Sequence, residues 1–127
     1  MKVLALDYGR ARTGVAVSDP TGTIARPVGV VERANVTRIV ELIREHEVDR
    51  VVVGMPLTLR GEHGEQARET QAFIDALAAA TGVPVVTFDE RFTSDLAEQT
   101  AAASAEQDAH AAAHLLSDYL TWASARA

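Results

Sequence analysis

The spacing of apolar residues first changes at Asn35, after three extended runs, and that change restricts the architecture more than any other feature. Before it, three extended runs follow one another without a helix. Residues 2–7 are apolar up to Asp7, and residues 13–18 alternate Val15 and Val17 with smaller side chains. Gly9 and Gly14 accompany these two runs and predict a hairpin. A third run, residues 23–31, follows the turn signal Asp19-Pro20-Thr21-Gly22. From Asn35, a good N-cap, Val36, Ile39, Val40 and Ile43 recur at helical spacing as far as about His46.

After that helix, strands and helices alternate. Val51-Val52-Val53 is a continuous β-branched run ending at Gly54, the pattern of a parallel strand covered on both faces. Residues 55–64 read as a loop, and residues 65–80 as a helix with Phe73, Ile74 and Leu77 on one face and Gly82 as its stop. Residues 83–88 form another buried strand with Pro84 near its start, and the chain from Thr93 onward is helical, interrupted near Ser104. The order β-β-β-α-β-α-β-α predicts an α/β fold: a mixed sheet with helices on both faces.

A length of 127 residues predicts one domain, residues 1–127. No apolar run approaches the ~18 residues of a membrane span, and the run after Met1-Lys2 is too short for a secretory leader, so a cytoplasmic protein without a membrane partner is expected. The absence of cysteine excludes disulfides, thiolate zinc sites and a cysteine nucleophile. The net charge of −6 argues against a protein that coats nucleic acid through bulk basicity. Its distribution is uneven: residues 1–60 carry nine Lys and Arg against seven Asp and Glu, whereas residues 61–127 carry three against eleven. An anion-binding surface is therefore expected in the N-terminal half.

Three acidic positions break the pattern around them. Asp7 ends one strand, Asp89-Glu90 ends another, and Asp108 opens the last helix. On a helical wheel Ala111, Ala112, Leu115, Leu116, Tyr119 and Trp122 fall within about 80° of Asp108, so its carboxylate lies along the core-facing stripe. An unpaired charge is costly there, and a bound cation removes the cost. Each acid also has an ordinary structural explanation: Asp7 as a turn residue, Asp89 or Glu90 paired with Arg91, Asp108 as a helix cap. Together, three carboxylates without sulfur describe an all-oxygen site for Mg²⁺ or Mn²⁺.

The segment LALDYGRARTGVAVSD, residues 4–19, resembles the opening hairpin of the YqgF/RuvX family, described as Holliday junction resolvases and as pre-16S rRNA nucleases. VVVGMPLTLRG (51–61), DERFTS (89–94) and DAHAAAHLLSDYL (108–120) resemble three further motifs of that family in the same order. The resemblance implies a ribonuclease-H-like fold and assigns metal binding and catalysis to Asp7, Glu90 and Asp108. A two-metal site is then expected, one ion activating water and the other stabilising the leaving 3′-oxygen.

Arg10, Arg12 and Arg26 are expected around Asp7, Arg60 in the loop after Gly54, and Arg91 beside Glu90. Clustered near such acids they suit a phosphodiester, which guanidinium groups grip bidentately, with Arg12 and Arg91 the leading candidates. Tyr8 is a candidate for stacking a base, with core packing as its alternative. His110 and His114 imitate a zinc pair at i,i+4 spacing but lie at about 200° and 240° on the wheel, opposite Asp108.

The expected protein is a metal-dependent nuclease whose partner is nucleic acid, RNA more than four-way-junction DNA, with a ribosomal precursor as the implied context. Monomer and homodimer stay open. Two rival readings exist: a non-catalytic RNA- or ribosome-binding module on the same fold, and a phosphotransferase or ATPase, since LALDYGRARTG also resembles the phosphate-binding hairpin of the actin, hexokinase and Hsp70 superfamily. That second fold needs two such domains around its nucleotide.

Overall fold

The computed structural model describes residues 1–55, 64–89 and 104–126. Eight elements follow the expected order: β1 (Val3–Asp7), β2 (Arg12–Ser18), β3 (Ala25–Glu32), α1 (Val36–Glu45), β4 (Arg50–Met55), α2 (Glu65–Ala80), β5 (Val85–Asp89) and α3 (Ala105–Ser124). They build one five-stranded sheet in the order β3-β2-β1-β4-β5. The meander pairs antiparallel, β1 with β2 and β2 with β3, while β1–β4 and β4–β5 pair parallel. Strand β1 is therefore central, and its C-terminal end opens at the middle of the sheet.

Strand alternation divides the core into two layers. Leu4 and Leu6 of β1, Val15 and Val17 of β2, and Val51, Val53 and Met55 of β4 pack under α1 and α2 with Ile39, Ile43, Phe73 and Leu77. Val3, Ala5, Ala16, Val52 and Phe88 face the other way, under Ala112, Leu115, Leu116 and Tyr119 of α3. Leu4, Leu6, Ile39, Leu77 and Leu116 have no more than a trace of exposed surface. Burying each of them stabilises the fold by roughly 1.5–3 kcal/mol before chain entropy is counted.

Boundaries shift where polar groups claim the backbone. The third strand begins at Ala25 rather than Thr23 because the Asp19 carboxylate accepts hydrogen bonds from the N–H groups of Thr23 (2.8 Å) and Ile24 (2.9 Å). At its other end, α1 starts as expected: Asn35 caps it by accepting from the Arg38 N–H. Helix α2 spans the expected residues but ends on an extended Thr81 instead of a glycine turn at Gly82. Thr81 Oγ1 then accepts from the Val83 N–H and Pro84 has no N–H, so β5 starts only at Val85. The edge strand β3 carries a bulge opposite Val15–Ala16 and a proline, Pro27, both of which discourage pairing with a further strand. None of the described helices is long and apolar enough to cross a membrane.

Candidate active site

The site lies at the C-terminal end of β1. Because Val3 and Ala5 face α3, alternation turns Asp7 toward α3 as well. Its partner across the antiparallel ladder is Gly14 of β2. A Cβ at Gly14 would stand 2.0 Å from the Asp108 carbonyl oxygen, so the backbone of α3 rests directly on this glycine. Asp108 is thereby held against the residue registered to Asp7. A side chain at position 14 would drive the helix off the sheet.

Arg12 completes the corner. It belongs to β2 two residues before Gly14 and so faces α3 too, where its Nε lies 2.8 Å from Asp108 Oδ2. The two side chains keep 31% and 24% of their exposure, so solvent still reaches the pair. Two expectations for Asp108 are corrected by this geometry. Its charge is met by a guanidinium, so a bound cation is not needed to make its position tolerable. Nor does it cap the helix: Ser104 does so in a capping box, accepting from the Gln107 N–H while the Gln107 side chain accepts from the Ser104 N–H.

The remaining candidates separate. Arg10 forks onto Glu69 of α2, with Nε to Oε2 at 2.8 Å and Nη2 to Oε1 at 2.6 Å, and these bonds hold the Glu69 carboxyl below the usual carboxylate range. Tyr8 turns to the opposite face from Asp7 and packs its ring on Phe73 at 5.1 Å, as core packing would have it. Arg26 is not beside Asp7. It is registered to Val17 near the other end of β2, and lines a depression with Lys2 and His46 on the α1 side. Asp89 follows Phe88, which faces α3, so Asp89 is directed to the α2 side beside Met55. Glu90, Arg91 and Arg60 lie outside the described residues. His110 and His114 are exposed on α3, and among the described residues no three His, Asp or Glu side chains stand together as a metal cage.

Residue-by-residue reading missed Arg33. In the hairpin register Arg12 stands opposite Glu32, and the Arg33 N–H donates to the Ala11 carbonyl at 2.9 Å, so Arg33 marks the β3 side of the acidic corner. It is exposed and makes no ion pair among the described residues. Arg33 and Ala34 both have left-handed backbone, φ 51° and 50°, a conformation that costs non-glycine residues on the order of 1 kcal/mol each and that clusters at functional sites. Counting the register back from the Asp19 turn would have found this position.

The donor types suit a hard divalent cation. Asp7 and Asp108 offer only carboxylate oxygens, neither caps a helix, and Asp7 is directed to the α3 side, where Asp108 is seated on its ladder partner Gly14.

Comparison with known proteins follows the same lines. Residues 1–122 match the RuvX family model, described as Holliday junction resolvase. A protein of Chloroflexus aurantiacus named "Putative pre-16S rRNA nuclease" is 47% identical over 93% of this chain and 85% of its own length. One of the same name from Chloroflexus aggregans is 47% identical over 93% of this chain and 92% of its own. Among solved structures, Thermus thermophilus RuvC superposes with a TM-score of 0.62 at 17% identity, covering 98% of this chain and 97% of that one. The same organism's RuvC in complex with Holliday junction substrate gives 0.64 at 17% identity, covering 97% and 94%. The ribonuclease-H-like fold implied by the family resemblance, and the mixed sheet expected from the element order, are thus confirmed.

Proposed function

The chain belongs to the RuvX Holliday junction resolvase family and is a nuclease, and from that premise we propose that it hydrolyses phosphodiester bonds of RNA at the 5′ end of pre-16S rRNA, in the cytoplasm, with Asp7, Glu90 and Asp108 as its metal-binding acids. The observation that carries the reading is the seating of Asp108 on Gly14, the ladder partner of Asp7. Of the Asp89-Glu90 pair, Asp89 is directed to the α2 side, which supports taking Glu90 as the third acid. Family membership sets aside both the phosphotransferase and the non-catalytic readings.

Asp7, Glu90 and Asp108 would hold Mg²⁺ or Mn²⁺, which would supply an activated water and neutralise the charge that develops on the leaving 3′-oxygen. The protein's part is to fix the acids before substrate arrives: β1 fixes Asp7 from within the sheet, and the Gly14 contact fixes Asp108. Arg33, exposed at the rim, suits a backbone phosphate, and Arg60 and Arg91 are taken as further phosphate contacts.

RNA is favoured over four-way-junction DNA by the supply of cations. Arg10 is tied to Glu69 and Arg26 lies at the far end of β2, so the described surface around Asp7 lacks a broad basic face. The deciding experiment incubates the protein with Mg²⁺ or Mn²⁺ and either a pre-16S 5′-leader RNA or a four-way junction, beside an Asp108→Asn control. Metal-dependent cutting of the leader that the control lacks is expected. Cutting of the junction alone would replace the RNA assignment.

A further inference from the structure

Accepting that Asp7 and Asp108 hold a divalent ion, the geometry points to Arg12 as an internal counter-cation for that site: its guanidinium occupies the Asp108 carboxylate until metal binds, and then leaves it to grip a substrate phosphate.

The anchoring of the two partners is unequal. Asp108 cannot retreat, because its backbone is pressed onto Gly14 and its N–H is bonded to the Ser104 carbonyl at 2.9 Å. The backbone of Arg12 is equally fixed, in the β2 ladder and by the turn at Gly9, where a Cβ would come within 2.3 Å of the Arg12 carbonyl oxygen. The Arg12 side chain, on its long flexible stem, is the more movable of the two. Its Nε lies 2.8 Å from Asp108 Oδ2, and both side chains are still reached by solvent. A solvent-reached ion pair is a weak one.

Charge gives the exchange its direction. Two carboxylates on one face repel each other, and a nearby positive charge relieves that repulsion at short range. Arg12 does so with one charge and a divalent ion does so with two, so the ion displaces the guanidinium. Once displaced, Arg12 still faces α3 from the first residue of β2, beside Asp7, where a phosphate oxygen offers the same bidentate partner that the carboxylate gave up. Metal loading and phosphate binding then assist each other through one side chain.

Two measurements test this without reading cleavage. In Mn²⁺ titrations of the folded protein by calorimetry, Arg12→Gln should bind the ion roughly three- to tenfold tighter than wild type, and Arg12→Lys should stay near wild type. In wild-type protein, the ¹⁵N-¹H resonance of the Arg12 side-chain Nε–H should move on Mg²⁺ titration, with the midpoint of metal binding, to the position it holds in Asp108→Asn. This second readout needs no variant at Arg12, so a folding defect there leaves the inference exposed to test. Equal or weaker Mn²⁺ binding by Arg12→Gln, or an Nε–H resonance unmoved at saturating Mg²⁺, overturns the exchange and makes Arg12 a fixed support of Asp108. Failure of wild type to bind Mn²⁺ at all, with Asp7→Asn and Asp108→Asn indistinguishable from it, would remove the metal site itself, a result separate from the other two.

Discussion

Two aspartates stand at opposite ends of the β1–β2 hairpin region and are satisfied in opposite ways. Asp19, just after β2, accepts from the Thr21 hydroxyl and from the Thr23 and Ile24 N–H groups, all within five residues of it. Asp108, at the other end, is met by Arg12 from across the fold, 96 positions away in sequence. The first carboxylate is spent on closing a turn. The second is met by a guanidinium from a distant strand and is still reached by solvent. Local saturation makes a structural acid; a long-range, solvent-reached pair is what the proposed site requires.

The sharpest break between the two is catalytic. Asp7→Asn and Asp108→Asn should each lower the cleavage rate by about 10²- to 10³-fold, the scale of removing one charge-stabilising group from an active site. Asp19→Asn should leave the rate within about twofold, since the turn lies far from the acids, while lowering the thermal midpoint. Asp89→Asn should keep more activity than Glu90→Gln. A single assay of the five variants with Mg²⁺ checks all of this, and equal losses at Asp19 and Asp108 would erase the distinction drawn here.

A backbone substitution tests the same contrast through packing. Gly14→Ala forces a Cβ to within 2.0 Å of the Asp108 carbonyl oxygen, so α3 must shift, at a cost of roughly 1–3 kcal/mol or more. Gly82→Ala, which meets nothing within 4 Å, should change stability by less than about 0.5 kcal/mol. Denaturant midpoints measure both. Only Gly14→Ala should also impair cleavage, because only it moves an acid.

What could be read in the sequence follows from the range of the forces involved. Helix α2 emerges with its expected bounds because the spacing of Phe73, Ile74 and Leu77 is a local signal, and the Asn35 cap is equally local. Asp7 was legible as a charge ending an apolar strand. The Arg12–Asp108 pair was not, since nothing in either segment names its partner before the sheet is assembled. Arg26, expected around Asp7 from the third strand, lies elsewhere, because the antiparallel register sets it beside Val17 and brings Glu32 and Arg33 to the acidic corner.

Acid titration should separate the ends again, with a smaller effect. Hydrogen bonds from the Thr21 hydroxyl and then from the Ile24 and Thr23 N–H groups hold the Asp19 carboxyl far below its usual range. A carboxyl depressed in the folded state contributes stability that is complete above its unfolded pKa, near 4, and is lost as pH falls toward the folded value. Between about pH 4 and pH 2, stability should therefore fall less steeply in Asp19→Asn than in wild type. Denaturation curves across that interval supply the measurement. Identical slopes would mean that the turn bonds do not favour the ionised form.

The smallest effect concerns the footprint on nucleic acid, where the two ends of the hairpin differ in which arginine they present. Observed affinity falls with salt at a slope of about −0.9 per phosphate neutralised on duplex and about −0.7 on single strands. With Arg10 held by Glu69, and with an acidic C-terminal half, the contacts should number about three to five phosphates, and the slope should stay well short of −7. Arg33→Ala, at the acidic corner, and Arg91→Ala should each flatten the slope for single-stranded RNA by up to about one unit. Arg26→Ala, beside Val17 and on the α1 side, should leave it unchanged. Dissociation constants for single-stranded RNA and for a four-way junction, measured over one salt series, test the ranking. A steep slope with the junction preferred, or a loss at Arg26 equal to that at Arg33, would mean that the nucleic acid wraps the β3 edge and engages both ends of the hairpin at once.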